Sequence, residues 1–152
     1  MRLDWHKLSP EGTKALLALQ SVVDRSKIEQ KLLELVKIRA SQINGCAYCL
    51  DMHTKDAIAI GESQQKINVL AAWREAPFYS LRERAALAWC EALTQVSITH
   101  APDDIYNEIK SLFTPEEITE LTLGIVVINS WNRLAIGFRA DAGEYFSNRK
   151  PE

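Results

Sequence analysis

The chain has 152 residues, 47% hydrophobic and 25% charged, with 18 Lys+Arg against 20 Asp+Glu. That is the make-up of one globular unit able to bury a core without disulfide or metal staples, and it excludes disordered, collagenous and low-complexity classes. A net charge of -2 with no cluster of Lys or Arg leaves no electrostatic footprint for nucleic acid or an anionic membrane.

The opening Met1-Arg2-Leu3-Asp4-Trp5-His6-Lys7 is polar and mixed in charge, and the apolar cluster at 15–19 is too short for a signal peptide. The uncharged stretch at 121–132 is shorter than the ~20 residues a bilayer needs, and Arg133 follows it. A single domain over 1–152 and a cytoplasmic location are expected. In a reducing compartment a close pair among three cysteines is catalytic, redox-sensing or metal-binding rather than a structural cross-link.

Apolar residues recur at spacings of three and four, so the expected fold class is all-α, with no strand. Ser9-Pro10 is an N-cap followed by an N1 proline for a helix over 10–23, and Asp24 or Ser26 caps the next. In that second helix Ile28, Leu32, Leu35, Val36 and Ile43 form a buried stripe, ended by Asn44-Gly45. A third helix starts at the cysteine pair and runs to Ile60, where Gly61 stops it. A short fourth covers 64–73, and Pro77 breaks the chain. Ser80-Leu81-Arg82-Glu83 and Thr114-Pro115-Glu116-Glu117 are capping boxes that start helices over 81–95 and 115–138, with another near 103–113 between them.

The chemistry is concentrated in Asn44-Gly45-Cys46-Ala47-Tyr48-Cys49-Leu50-Asp51-Met52-His53. At 100° per residue Cys46, Cys49 and His53 fall at 0°, about -60° and about -20°, one face of a helix, with Tyr48 on another. Cys49 and His53, four apart, are within proton-exchange reach. If the chain folds back at Asn44-Gly45, Glu34 lies about 15 Å before the turn and His53 about 12 Å after it, at 1.5 Å per residue. Glu34 stands between Leu33 and Leu35, so on that hairpin it is expected to reach the seam as a partly buried carboxylate that orients His53, the alternative being a solvated surface charge. Lowering a thiol pKa from ~8.5 to ~7 gains only a few-fold in rate, because nucleophilicity falls with it. A positioned proton donor is worth ~10² to 10⁴-fold, so His53 and Glu34 matter chiefly through proton delivery.

Glu34, eleven intervening residues, then Cys46-Ala47-Tyr48-Cys49 and His53 resembles the signature of the AhpD-like alkylhydroperoxidase branch of the carboxymuconolactone decarboxylase superfamily. Leu35-Val36-Lys37-Ile38-Arg39-Ala40-Ser41-Gln42-Ile43-Asn44-Gly45, Glu83-Arg84-Ala85-Ala86-Leu87-Ala88-Trp89 and Ser130-Trp131-Asn132-Arg133 are similar to its short, single-repeat members. The resemblance implies an all-α domain of about six to eight helices with the CxxC at a helix N-terminus, assembly into trimers or hexamers, and thiol-dependent reduction of hydroperoxides without a cofactor. It implies Cys49 as the peroxidatic residue, Cys46 as proton donor and resolving thiol, and His53 with Glu34 as the proton relay. An external dithiol, in the family a lipoyl-bearing protein, restores the thiols. The long enzymes carry a second histidine between the cysteines, where this chain has Tyr48.

The rival readings are bland ones. A structural zinc site wants four ligands, and beyond His53 only Cys90, His6 and His100 remain, none at ligand spacing. Haem attachment fails because Leu50 stands where a histidine is required, and a thioredoxin-like site lacks its βαβ context. Cys90 reads as a small buried hydrophobe, His6 and His100 as surface or loop residues, and Trp73, Trp89 and Trp131 as core or subunit interface. The alternative from a different class is a non-enzymatic redox switch, or an oligomeric interaction protein, using the same cysteine pair.

Overall fold

A computed structural model of the chain describes residues 1–150. Those residues form nine α-helices and no strand: α1 (Trp5–Leu8), α2 (Pro10–Asp24), α3 (Gln30–Asn44), α4 (Ala47–Ala59), α5 (Gln64–Val69, prolonged by a 3₁₀ turn, Leu70–Ala72), α6 (Leu81–Thr94), α7 (Val96–Thr99), α8 (Asp103–Lys110) and α9 (Pro115–Phe138). The seven expected helices are present, and the one-turn pieces α1 and α7 are additions.

The packing is built around α3, which is buried from Leu32 to Ile38 without a break. Seven consecutive buried residues, Glu34 and Lys37 among them, take in every side of a helix, so α3 is covered all round. Here the cover is α4, α6 and α9, and α9 packs in turn on α2. Gly124 of α9 marks the tightest approach: a Cβ there would lie 3.3 Å from Val23 Cγ1 and 3.5 Å from Leu33 Cδ2. By length and composition α9 resembles a membrane span, but its inner side is buried against α2, α3 and α6, and Asn132 on it is fully buried among polar partners. Those are properties of a central core helix.

Capping decides several boundaries. Ser80 and Thr114 each accept from the backbone N–H three residues on, while Glu83 and Glu117 return a bond to the cap's own N–H. Gly45, at φ 72°, ends α3 in the left-handed region that glycine enters without steric cost. Its amide donates to the Gln42 carbonyl and that of Cys46 to the Ser41 carbonyl, a Schellman closure that throws the chain straight into α4.

Three expectations need correction. Neither Asp24 nor Ser26 caps α3: Asp24 is the last residue of α2, and α3 starts at Gln30 behind Glu29, which makes no side-chain cap. Ile28 is buried but lies in the connection, and Ile43 is only half-buried, because packing on three neighbours replaces a single stripe. Ser9 precedes α2 as expected but makes no capping hydrogen bond. The polar opening segment also hides a buried residue: Trp5 in α1 stacks on Phe138 at the end of α9, with ring centroids 5.7 Å apart.

Candidate functional site

The α3–α4 hairpin sets the geometry. Cys46 is the N-cap of α4, in an extended conformation just outside the helix, and Cys49 lies in the first turn. The two form a disulfide with Cα atoms 5.3 Å apart. An ideal helix holds residues at i and i+3 too far apart at Cβ for such a bond. Placing Cys46 one step outside the helix removes the conflict, and its Sγ accepts a hydrogen bond from the Cys49 N–H at 3.3 Å.

Glu34 and His53 meet across the hairpin. Glu34 is fully buried, and His53 Nδ1 lies 2.8 Å from its Oε2. The other carboxylate oxygen accepts from Lys37 Nζ at 3.0 Å and from Arg149 Nη1 at 2.6 Å. Burial by itself raises the Glu34 pKa. The hydrogen bond and charge of His53, with the Lys37 ammonium, outweigh it and hold the carboxyl at about 2. An ionised carboxylate only accepts, so His53 Nδ1 carries the proton and Nε2 is the nitrogen left to exchange protons.

The residues around this pair had weaker signals. Lys37 is buried three residues after Glu34 and also reaches Asp24 Oδ1 at 3.4 Å; a lysine inside an apolar run is the clue in the sequence. Asp56, three residues beyond His53, is buried and accepts from Tyr145 Oη at 2.8 Å. Burial and that contact with Asp56 push the Tyr145 phenol up to about 12. Tyr145 and Arg149 lie in the segment after α9, where no periodicity announces them.

Glu34, His53 and Asp56 each offer a ligand atom within 4.8 Å of one another. Both carboxylates already have protein partners, though, and Lys37 and Arg149 supply the positive charge a cation would bring. The cluster suits proton holding better than metal coordination.

Cys49, His53, Glu34 and Asp56 line a half-open cavity of about 900 Å³, walled by Trp5, Leu17, Met52, Trp131 and Ala135. Tyr48 lines it as well, against the expectation that it faces elsewhere, because the space spreads beyond one face of α4 to α1, α2 and α9. Trp131 is half-buried, packed against the core and also lining the cavity, whereas Trp73 and Trp89 are buried. His6 is exposed at the cavity edge, and His100 is an exposed left-handed residue ending α7. Cys90 is fully buried with its Sγ on the Val36 carbonyl, and burial pushes its thiol up to about 12.

A CxxC at the head of an inner helix, backed by a buried Glu–His pair within an all-α fold, defines an AhpD-like dithiol protein. The pattern of the carboxymuconolactone decarboxylase family matches residues 10–92, and the chain belongs to that family as an AhpD-like member of its superfamily. It is 42% identical over 135 residues to the uncharacterized protein YdfG of Bacillus subtilis, covering 89% of this chain and 92% of that one. A crystal structure from Agrobacterium tumefaciens superposes with a TM-score of 0.91 at 44% identity, over 95% of this chain and 99% of that one. That protein is of unknown function, assigned provisionally to AhpD antioxidant defence. The fold is also that of the debrominase Bmp8, at 22% identity and a TM-score of 0.82 over 91% of this chain and 74% of that one. The family is named for an enzyme, a decarboxylase.

Proposed function

We propose that the protein is a thiol-dependent peroxidase acting on organic hydroperoxides. The observation that carries this reading is that Cys49 of the Cys46–Cys49 disulfide lines the same cavity as the Glu34–His53 pair. In the cycle the Cys49 thiolate attacks the distal oxygen of the hydroperoxide. The O–O bond breaks, Cys49 becomes a sulfenic acid, and the alkoxide leaves as an alcohol after taking a proton. His53 Nε2 takes the Cys49 proton as the thiolate forms, ionised Glu34 stabilises the resulting imidazolium, and that imidazolium or the Cys46 thiol donates the proton to the alkoxide. The Cys46 thiol then attacks the Cys49 sulfur, the hydroxyl leaves as water, and the disulfide closes. An external dithiol returns two electrons and two protons.

A cavity of about 900 Å³ with aromatic and aliphatic walls is far larger than hydrogen peroxide requires, which supports a carbon-bearing substrate. The reading carries two partners with it: a dithiol reductant such as a lipoyl-bearing protein, and further copies of this chain in a trimer or hexamer.

Steady-state consumption of cumene hydroperoxide with a dithiol reductant tests the function in the parent, Cys49→Ser and Cys46→Ser proteins. Cys49→Ser is expected to lose turnover entirely. Cys46→Ser is expected to lose the internal disulfide and, with the dithiol withheld, to stop after about one equivalent as a sulfenic acid. Undiminished turnover in Cys49→Ser overturns the mechanism. One equivalent of oxidation in the parent without sustained turnover makes the pair a redox switch instead.

A further inference from the structure

The segment 139–150 that follows α9 contains no helix or strand, yet it is fastened across the site. The Gly143 amide donates to Asp51 Oδ2 at 3.2 Å, and the Tyr145 carbonyl accepts from Lys55 Nζ at 2.9 Å. Tyr145 Oη donates to Asp56 Oδ1, and Arg149 forks between Glu34 Oε1 and Gln30 Oε1, each at 2.6 Å. The anchors from Gly143 to Arg149 all belong to α3 or α4, the two helices that carry the site; nearer α9, Asp141 also pairs with the Met1 ammonium at 3.4 Å. Between anchors the strap is solvated, with Phe146 82% exposed. Beyond Ala140, which packs against the core, polar contacts hold it rather than apolar burial, so its release would not disturb the core.

The disulfide supplies the second half of the argument. Cys46 and Cys49 are each 1% exposed, and thiol–disulfide exchange needs an incoming thiolate to reach a sulfur atom. Something must move before a dithiol reduces this bond. The cavity that Cys49 lines has Ala140, Asp141 and Arg149 of the strap as one wall. Its other walls are Met1 and residues of α1, α2, α3, α4 and α9.

We infer that the strap is a latched gate: Tyr145 and Arg149 are positioning residues that hold it over the site, and its release admits the reducing dithiol to Cys49. The gate deepens the dithiol-cycle reading above, because it assigns the step at which a carrier larger than the peroxide enters. One thiolate of the dithiol attacks Cys49 Sγ, the S–S bond breaks, and Cys46 departs as a thiolate that takes up a proton. The second thiol of the reductant then attacks the mixed disulfide, releases Cys49 as a thiol and closes its own disulfide. Two electrons and two protons pass to the chain. Arg149 holds the strap through the Glu34 carboxylate that also holds His53, so opening the gate withdraws a positive charge from the Glu–His pair.

The test is the rate at which oxidised full-length protein is reduced by dithiothreitol, with maleimide quenching and Cys49 quantified by peptide mass. Arg149→Gln and Tyr145→Phe are each expected to raise this rate roughly tenfold, since each removes a strong anchor from a segment with few others. Arg149→Lys, keeping the charge but not the fork, is expected to fall between parent and Arg149→Gln. The sign separates gating from electrostatics: losing a cation near the disulfide by itself slows attack by an anionic thiolate. Fully buried Cys90 is the internal control, labelled only when the core opens. Unchanged reduction rates, or rates that rise only in step with Cys90 labelling, overturn the gate. No peroxide is consumed in this assay, so a parent lacking peroxidase turnover would sink the function and leave latch-dependent reduction intact.

Discussion

Glu34 holds a negative charge where no water reaches it, and its surroundings are arranged to tolerate that. Isolated in a core, a carboxylate would take up a proton instead. Here His53, Lys37 and Arg149 saturate its two oxygens. The folded protein thus holds Glu34 at about 2, below its ordinary 4.5. A depressed carboxyl pKa contributes stability that is fully present above the unfolded value and lost as pH falls through the folded one. Over that interval the unfolded chain binds the extra proton, so stability rises with pH. Urea unfolding between about pH 5 and pH 2 should therefore show a parent loss that includes a few kcal/mol from this group. Glu34→Gln starts less stable, because it leaves His53, Lys37 and Arg149 without their anion, and should show a shallower slope over the same interval. Equal slopes would mean that Glu34 is not held ionised. The juxtaposition was legible from chain arithmetic alone: levels about 15 Å and 12 Å from a shared turn, at 1.5 Å per residue, place a carboxylate opposite an imidazole. Lys37 was visible only as an oddity, a cation in an apolar run.

The α3–α4 hairpin must keep one turn rigid for Cys46 and Cys49 to meet, and a polar ladder fixes that turn to α9. Asn44 Nδ2 donates to Asn132 Oδ1 at 2.8 Å and to Asn129 Oδ1 at 2.9 Å. Asn132 Nδ2 donates to Ser41 Oγ at 3.1 Å, and Ser41 donates to the Lys37 carbonyl at 2.8 Å. Asn132 is fully buried, so Asn132→Ala leaves Ser41 Oγ without a donor and Asn44 Nδ2 short of an acceptor in the interior. The expected cost is about 2 kcal/mol, read as a lower urea midpoint with an unchanged m-value. A loss below about 0.5 kcal/mol would show that water or a neighbour restores the ladder. At this scale the sequence was readable where local chemistry decides: the Asn44-Gly45 stop and the two capping boxes lie where expected. It misled where tertiary packing decides. The start of α3 is set by burial of Leu32 and Leu33 rather than by a cap, and α1 exists because Trp5 finds Phe138 at the other end of the fold.

For the whole molecule, the strap was not legible at all, since Tyr145 and Arg149 act through single contacts to residues distant in sequence and carry no periodic pattern. The exposed surface poses the complementary question of which apolar groups remain without cover. Along its outer side α9 leaves Val126 at 47% and Ile136 at 38% exposure, and Val96 and Ile98 of α7 stand at 50% and 75%. Leu93, Val96, Ile125 and Val126 line a shallow cleft there, rimmed by Asn129, Ser130 and Arg133. Apolar groups gathered on one side and edged by polar ones are the usual mark of an association surface. A test of the proposed self-association can therefore be placed on this face. Val126→Glu should then reduce the mass measured by light scattering, at tens of micromolar protein, to that of a single chain. Glutamate favours helix at least as well as valine at an exposed position, so thermal stability of the isolated subunit should change by no more than about 0.5 kcal/mol. A parent that already runs as a single chain, or a variant that keeps the parent's mass, removes this face as the interface. Because Cys49 and its cavity lie toward α1, α2 and the strap rather than toward α7, the dissociated variant should still form the Cys46–Cys49 disulfide on oxidation. Failure to do so would mean that a neighbouring copy completes the site.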